Sequence, residues 1–282
     1  MAKKLLAKEV NEALKKQIQK ELEEIQDSPC LAVFRVGEDP PSISYEKAIK
    51  KKLEKMGFSI KTMTYALNTF EEDFLKDLKK ASQDKEIHGI LPMLPLPLRW
   101  DQKKLVETIQ PYKDVDGNRK DQLGLLMSYE KEAFENCAVG AVLAFLDHYK
   151  ISVFGKRVCI LGAGLLIGRP LSMLLLKRKA TVTICNTKTP NPTSITKASD
   201  ILIGASGHPH FITKDYLSKD QIVLDCGTSF VDGKMLGDLD PKSCEKDLLA
   251  YTPTPGGISG VTTSILALHL LKAYRLLGGL DE

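Results

Sequence analysis

Several absences narrow this 282-residue sequence before any motif is read. No run approaches the ~20 apolar residues that a helix needs to cross a bilayer, so no membrane partner is expected. The stretch from Met1 to Glu24 is basic but has no apolar core of signal-peptide length. The six cysteines, Cys30, Cys137, Cys159, Cys185, Cys226 and Cys244, are widely spaced and form no CxxC pair. That spacing argues against a disulfide framework or a zinc site and for reduced thiols in a cytoplasmic, soluble protein. No cluster of His, Asp and Glu suggests a metal. His208 and His210 read as loop residues near a nucleotide site. The net charge of +4 comes from lysines spread over many segments. With no long basic stripe and no aromatic RNA-reading motif, nucleic acid is not an expected partner. Internal repeats and low-complexity segments are absent as well.

What is present alternates between strand and helix patterns. Leu6, Val10, Leu14, Ile18 and Leu22 recur every four residues, one apolar stripe of a helix. Leu31 to Val36 reads as a strand stopped by Gly37-Glu38-Asp39-Pro40-Pro41, and Ser42 offers an N-cap for a helix through Met56. Phe58 to Tyr65 and Gly89 to Leu91 read as strands, Glu71 to Gln83 and Lys103 to Ile109 as helices. A helix over 138–149 leads to a second series with strands at 157–161, 180–185, 200–204, 222–226 and 249–251. Ser264 to Leu277 reads as a last apolar helix. The fold class expected is α/β, with two domains, each a largely parallel sheet flanked by helices, the C-terminal one Rossmann-like. The expected domains are 1–137 plus a C-terminal helix over 264–282, and 138–263.

An apolar strand, Arg157 to Leu161, runs into Gly162-Ala163-Gly164-Leu165-Leu166-Ile167-Gly168 and then into a helix. This is a variant of the dinucleotide fingerprint. One glycine makes the turn, one lets backbone approach a pyrophosphate, and one lets the helix pack on the strand. At the end of the next strand stands Cys185-Asn186-Thr187-Lys188, with no acid to read a free ribose diol. Asn186 and Thr187 are donors there, and Arg169 or Lys188 would balance a 2′-phosphate. The pattern leans to NADP and leaves NAD open. Gly204-Ala205-Ser206-Gly207 and Asp225-Cys226-Gly227-Thr228 each end a strand and are expected to line the same pocket. Thr252-Pro253-Thr254-Pro255-Gly256-Gly257 cannot continue a helix or strand, and reads as a sharp corner or the wall of a second ligand site.

Six landmarks occur in order: Gly37-x-x-Pro40-x-Ser42-x-x-Tyr45, Gly89-Ile90-Leu91-x-x-Leu94-Pro95-Leu96-Pro97, Lys113-Asp114-Val115-Asp116-Gly117, the glycine loop with Arg169-Pro170, Gly237-Asp238, and Thr252-Pro253-x-Pro255-Gly256-Gly257. In that order the chain resembles the methylenetetrahydrofolate dehydrogenase/methenyltetrahydrofolate cyclohydrolase (FolD) family over nearly its whole length. The resemblance implies a folate, carried as tetrahydrofolate, in a cleft between two domains, NAD(P) on the Rossmann-like domain, and a homodimer. It implies that Tyr45 stacks on the folate and that Asp116 hydrogen-bonds the pterin, both as catalytic residues. Leu94, Pro255, Gly256 and Gly257 would line the folate pocket. Gly162, Ala163, Gly164 and Thr228 would touch the dinucleotide, beside Asn186.

The chain departs from that family's pattern at two polar positions. Tyr45 is followed four residues later by Ile49 where the family has lysine, and Met93 stands where it has glutamine. Oxidation removes a hydride from the carbon bridging N5 and N10 and moves no proton, so positioning suffices. Cyclohydrolysis adds water and shuttles protons, which needs a general acid/base. The expectation is a dehydrogenase with weak or lost cyclohydrolase activity, as in family members lacking these residues. Lys52, seven residues after Tyr45 and ~10 Å along the helix axis, is a possible substitute. Further departures are Asn136-Cys137-Ala138-Val139, where the family has Pro-Cys-Thr-Pro, and Ile258-Ser259-Gly260-Val261-Thr262, where it has Val-Gly-Pro-Met-Thr. The alternatives are a full bifunctional enzyme, a non-catalytic folate- or nucleotide-binding paralogue, and a dehydrogenase of another small carboxylate substrate.

Overall fold

The computed structural model describes residues 2–243 and 248–278. Cys244 and the last four residues of the helix expected over 264–282 lie outside them. In chain order the elements are β1 (Lys3–Lys4), α1 (Ala7–Glu23), β2 (Cys30–Val36), α2 (Pro40–Met56), β3 (Ser59–Tyr65), α3 (Glu71–Gln83), β4 (Gly89–Pro92), α4 (Gln102–Thr108), α5 (Lys120–Ser128), α6 (Cys137–His148), β5 (Arg157–Leu161), α7 (Gly168–Lys177), β6 (Thr181–Cys185), α8 (Pro192–Lys197), β7 (Ile201–Gly204), β8 (Ile222–Asp225), β9 (Ser229–Val231), β10 (Lys234–Leu236), β11 (Ala250–Tyr251) and α9 (Thr262–Gly278). They divide into two units, one of residues 15–135 and 263–282, the other of residues 1–14 and 136–262.

The unit of residues 15–135 and 263–282 is built on a three-stranded parallel sheet in the order β3-β2-β4. Alternate residues of β2 point to opposite faces. Ala32, Phe34 and Val36 join Phe74, Leu78, Ile87, Trp100 and Leu105 in one buried cluster. Phe74 meets Phe34 edge-on at 5.5 Å and Trp100 at 4.9 Å, fixing α3 on this face. Glu71, Glu72 and Asp73 in the first turn of α3 complement its dipole.

The helix α2 starts earlier than the sequence reading placed it. Its N-cap is Asp39, not Ser42: the Asp39 carboxylate accepts from Ser42 N at 3.0 Å. Pro40 and Pro41 occupy the first helical positions, where no N–H is needed, and so shift the start forward. Gly57, at φ 106°, closes the helix in the left-handed conformation.

The other unit carries a six-stranded sheet in the order β1-β11-β8-β7-β5-β6, every pair parallel. A small antiparallel hairpin, β9–β10, stands apart from it. The sequence reading missed β1, β9 and β10, which are two or three residues long and too short to show a period. It also placed residues 1–137 together. In the structure residues 1–14 belong with 136–262, because β1 adds a parallel edge to β11 and Ala7 N donates to Gly256 O at 2.8 Å. Asn11 Nδ2 donates to Gly260 O at 3.0 Å in the same region. An apolar stripe repeating every four residues identifies the helix but cannot say which sheet its leading strand joins.

Candidate functional site

The glycine loop between β5 and α7 divides its three glycines by role. A Cβ on Gly162, at φ +126°, would stand 2.1 Å from Ala205 O, and one on Gly168 would stand 1.9 Å from Gly162 O. Both places are closed by backbone, so side chains are excluded there. A Cβ on Gly164 would meet nothing within 4 Å. That open face is where backbone can approach a pyrophosphate, while the other two glycines make the turn and the helix–strand packing. Ala163 O accepts from Arg169 Nε at 3.0 Å, so this guanidinium is folded back on the loop. Asn186, exposed after β6, accepts from Lys188 N through its Oδ1 at 2.8 Å. Its own N–H donates to Thr189 Oγ1 at 2.9 Å, which leaves its carboxamide NH2 for a ligand. The loop and the start of α7 therefore fit a dinucleotide. Thr228 is exposed beyond the end of β8, in the same unit.

Two buried carboxylates tie the remaining loops of this unit together. Asp225, at the end of β8, accepts from Gly227 N at 2.9 Å, Asp238 N at 3.1 Å and Leu239 N at 3.0 Å. Burial pushes its carboxyl up to about 6 against the pull of the Leu239 and Gly227 donors, and the charge of Asp238 adds to the rise. Asp238 accepts from Ser206 N at 2.6 Å, Ser206 Oγ at 2.9 Å and Gly207 N at 3.3 Å. Its second oxygen, Oδ1, is buried without a hydrogen-bond partner among the described residues. A Cβ on Gly237 would stand 1.9 Å from Asp225 Oδ2, which explains glycine before Asp238.

Asp225 also reaches the Thr252–Gly257 turn. Its N–H donates to Thr252 Oγ1 at 2.7 Å, and Thr254 Oγ1 lies 3.4 Å from its Oδ2. In that turn Pro255 and Gly256 are exposed and Gly257 is buried, its Cβ position filled by Pro253 O at 2.4 Å. The structure thus links Ser206-Gly207, Gly227 and the Thr252–Gly257 turn through one buried acid pair. Sequence reasoning named the loops but not the acids as their fastening.

In the unit of residues 15–135, Tyr45 is 48% exposed on α2 and Leu94 is 57% exposed just after β4. Asp114 pairs in parallel with Ile90 of β4, which brings Asp116 toward the carboxyl end of that strand. Asp116 is half-buried, and its Oδ2 accepts from Asn118 Nδ2 at 3.1 Å. The turn that presents it is fixed from below. Asp114 is 1% exposed and accepts from Arg119 N at 2.8 Å; burial pushes its carboxyl up to about 6. A Cβ on Gly117, at φ +62°, would stand 2.4 Å from Phe134 O. His269 of α9 lies 2.9 Å from Val115 O through Nδ1 and 3.6 Å from Glu135 through Nε2. Burial alone would lower the imidazole pKa, but the Glu135 carboxylate raises it, and His269 in turn holds Glu135 down at about 2 against its own burial.

The two departures in this unit are both interior. Ile49, one turn after Tyr45, is 0% exposed, and Met93 is 4% exposed with its N–H on Phe34 O at 2.8 Å. Lys52 is half-buried on nearly the same helix face as Tyr45, and burial pushes its ammonium pKa down. Arg35 and Glu46, overlooked in the sequence, form a largely buried pair at 2.5 Å. The signal was there: Arg35 is the one charge in β2. Among the described residues no group of His, Cys, Asp and Glu could hold a metal ion, and no helix is long and apolar enough to cross a membrane.

Comparison with known proteins gives one consistent result. Residues 1–116 match the catalytic domain of tetrahydrofolate dehydrogenase/cyclohydrolase, and residues 136–277 match its NAD(P)-binding domain. The bifunctional protein FolD of Dictyoglomus thermophilum is 40% identical over 275 residues, spanning 96% of this chain and 96% of that one. The crystal structure of the bifunctional FolD enzyme of Campylobacter jejuni superposes with a TM-score of 0.93 at 30% identity, covering 98% of this chain and 99% of that one. The Trypanosoma brucei FolD structure, complexed with NADP cofactor and an inhibitor, gives a TM-score of 0.90 at 27% identity, covering 98% of each.

Proposed function

Since the chain belongs to the tetrahydrofolate dehydrogenase/cyclohydrolase family, we propose that it oxidises 5,10-methylenetetrahydrofolate to 5,10-methenyltetrahydrofolate with NADP, and that its cyclohydrolase activity is weak or lost. The single observation that carries the second half is the burial of Ile49 at 0% exposure, one turn beyond Tyr45. An apolar, water-excluded side chain stands where a proton shuttle is needed, while the groups that only position substrate remain.

NADP, when bound, accepts the hydride and its electron pair from the bridging carbon. The N5 and N10 lone pairs then delocalise the positive charge, and no proton is transferred. Gly164 would let a bound pyrophosphate reach backbone N–H groups, and the Asn186 carboxamide would be a donor for the adenosine ribose. Gly227, held by Asp225, and Ser206-Gly207, held by Asp238, would shape the nicotinamide end together with the neighbouring Thr228. Tyr45 would stack on the pterin and Asp116 would accept its N–H donors, and Leu94, Pro255, Gly256 and Gly257 would serve as further folate-binding residues. The trypanosomal relative was solved with NADP, and no acid follows β6 here to prefer the free ribose diol of NAD. The protein acts in the cytoplasm as a homodimer in this reading.

Two observations favour a second reading, the full bifunctional activity. The relative at 40% identity is a bifunctional FolD protein, and the half-buried Lys52 has a lowered pKa, as suits a general acid/base. Lys52→Met decides between the two: if methenyl hydrolysis above the enzyme-free rate disappears while NADP reduction stays, Lys52 has taken over the missing role. The first reading is tested by mixing the protein with 5,10-methylenetetrahydrofolate and NADP or NAD. Nicotinamide reduction is expected, faster with NADP; no reduction with either overturns the assignment and favours a non-catalytic paralogue.

A further inference from the structure

Arg35 is the only charged residue of β2, the middle strand of its sheet, and it stands at the carboxyl end. Ligands of open α/β sheets bind at such ends. Arg35 belongs to the face opposite Phe34, the face that meets α2, as its bond to Glu46 shows. Its Nε donates to Glu46 Oε2 at 2.5 Å, and Nη1 donates to Gly37 O. The two side chains are 12% and 14% exposed, so the pair is largely withdrawn from water. A guanidinium has five N–H donors, and these two bonds use two of them. Glu46 directly follows Tyr45 in α2 and precedes Ile49 by three residues. Pro92 pairs in register with Phe34, so Met93 comes level with Arg35 on the neighbouring strand. Arg35 is thus level in the sheet with Met93, and its partner Glu46 lies about one helical turn from Ile49. One more charge faces it, the Asp39 carboxylate at the N-cap of α2; its pKa is lowered by Ser42 first and by Arg35 to a smaller extent.

The oxidation turns an uncharged folate ring into a cation. An unbalanced guanidinium near that ring would oppose the reaction, because charges of one sign repel strongly where water is scarce. We propose that Glu46 is a positioning and charge-balancing residue of the folate site: it neutralises Arg35, so that the pair offers hydrogen-bond donors to the folate ring without repelling its cationic product. This rests on the dehydrogenase reading above and specifies how the site tolerates the loss of a lysine and a glutamine. Arg35 is the donor, and Glu46 decides whether the donor costs the enzyme its product.

The test compares two ligands that share the same glutamate tail and differ by one ring charge: cationic 5,10-methenyltetrahydrofolate and uncharged tetrahydrofolate. Their dissociation constants are measured on the full chain in mildly acidic buffer, where the methenyl form persists. Glu46→Gln is expected to weaken the methenyl form relative to tetrahydrofolate by roughly tenfold or more, tenfold being the effect of one unit charge ~12 Å away at an effective dielectric near 20. Arg35→Gln is expected to move the same ratio in the opposite direction, and Arg35→Gln with Glu46→Gln to return it to within about twofold of the parent. Either single variant decides, since the two signs differ, and lost stability alone would not alter a ratio of two ligands. An unchanged ratio in a variant that still binds tetrahydrofolate overturns the proposal. A parent protein that binds neither folate and reduces no nucleotide overturns the dehydrogenase reading instead.

Discussion

His269 and Glu135 form an ion pair, 3.6 Å from the buried imidazole to a partly exposed carboxylate, directly behind the backbone that carries Asp116. The same imidazole reaches Val115 O at 2.9 Å, one residue before Asp116. The folded pKa of His269 is raised, so its stabilisation is complete below the unfolded value of 6.5 and is lost as pH rises through the raised value. The folded pKa of Glu135 is lowered to about 2, so its stabilisation is present above the unfolded value of 4.5 and is lost as pH falls toward 2. Between 4.5 and 6.5 both contributions are therefore in force. His269→Leu leaves the carboxylate with only the more distant charge of Lys272 and is expected to lose about 2 kcal/mol there. Urea unfolding of parent and variant over a pH series checks this: the gap between them shrinks on both sides of the window, and a gap independent of pH contradicts it.

The glycines at 164 and 168 make opposite demands. Gly164→Ala has open space for its methyl, so it is expected to fold like the parent and to weaken NADP binding by tenfold or more, about 1.4 kcal/mol. Gly168→Ala drives a methyl to 1.9 Å from a carbonyl oxygen and is expected to lower the melting temperature as well. Differential scanning fluorimetry with and without NADP separates the two effects.

Asp238 accepts three hydrogen bonds from Ser206 and Gly207 with no exposure to solvent. Asp238→Ala leaves those donors unmet and is expected to destabilise the protein by about 2 kcal/mol. Its KM for NADP is expected to rise more than its KM for folate, because the loosened loop belongs to the nucleotide unit. Steady-state kinetics with each substrate varied in turn gives the comparison; equal rises in both would assign Asp238 to the fold alone.

Much of this arrangement was legible in the sequence because it is written in local signals. Gly162, Gly164 and Gly168 announce a strand–turn–helix by spacing, and the ten-residue α7 follows them. Pro40 and Pro41 read as the stop of a strand and Ser42 as the helix cap, whereas the cap is Asp39 because the prolines take the first helical positions. What escaped was non-local. Glu135 and His269 lie 134 residues apart in the chain, and neither sits in a motif. Asp225 ends a strand and Asp238 stands in the Gly237-Asp238 landmark, but nothing local to either shows that folding buries the two together. Arg35 to Glu46 crosses from a strand to a helix, and no periodicity announces a cross-element ion pair. Residues 1–14 join a sheet whose next strand, β11, is formed some 240 residues later, a pairing that no local pattern encodes.

Restoring the polar residues is expected to restore the second activity. Ile49→Lys with Met93→Gln places a proton shuttle one turn from Tyr45, and methenyl hydrolysis is expected to rise at least tenfold, the lower end being set by the burial of residue 49. The same burial makes the lysine costly, about 2–3 kcal/mol of stability. A variant that remains folded and hydrolyses the methenyl form no faster than the parent would show that Ile49 and Met93 are not what limits the reaction.

The most direct measurement follows the methenyl product itself. Purified protein is given 5,10-methylenetetrahydrofolate and NADP, and reduced nicotinamide and methenyltetrahydrofolate are recorded separately. The two are expected to rise together, and the methenyl form then to decay no faster than in a control without enzyme. Decay faster than the control, abolished in Lys52→Met, would contradict this expectation and make this chain a complete dehydrogenase and cyclohydrolase.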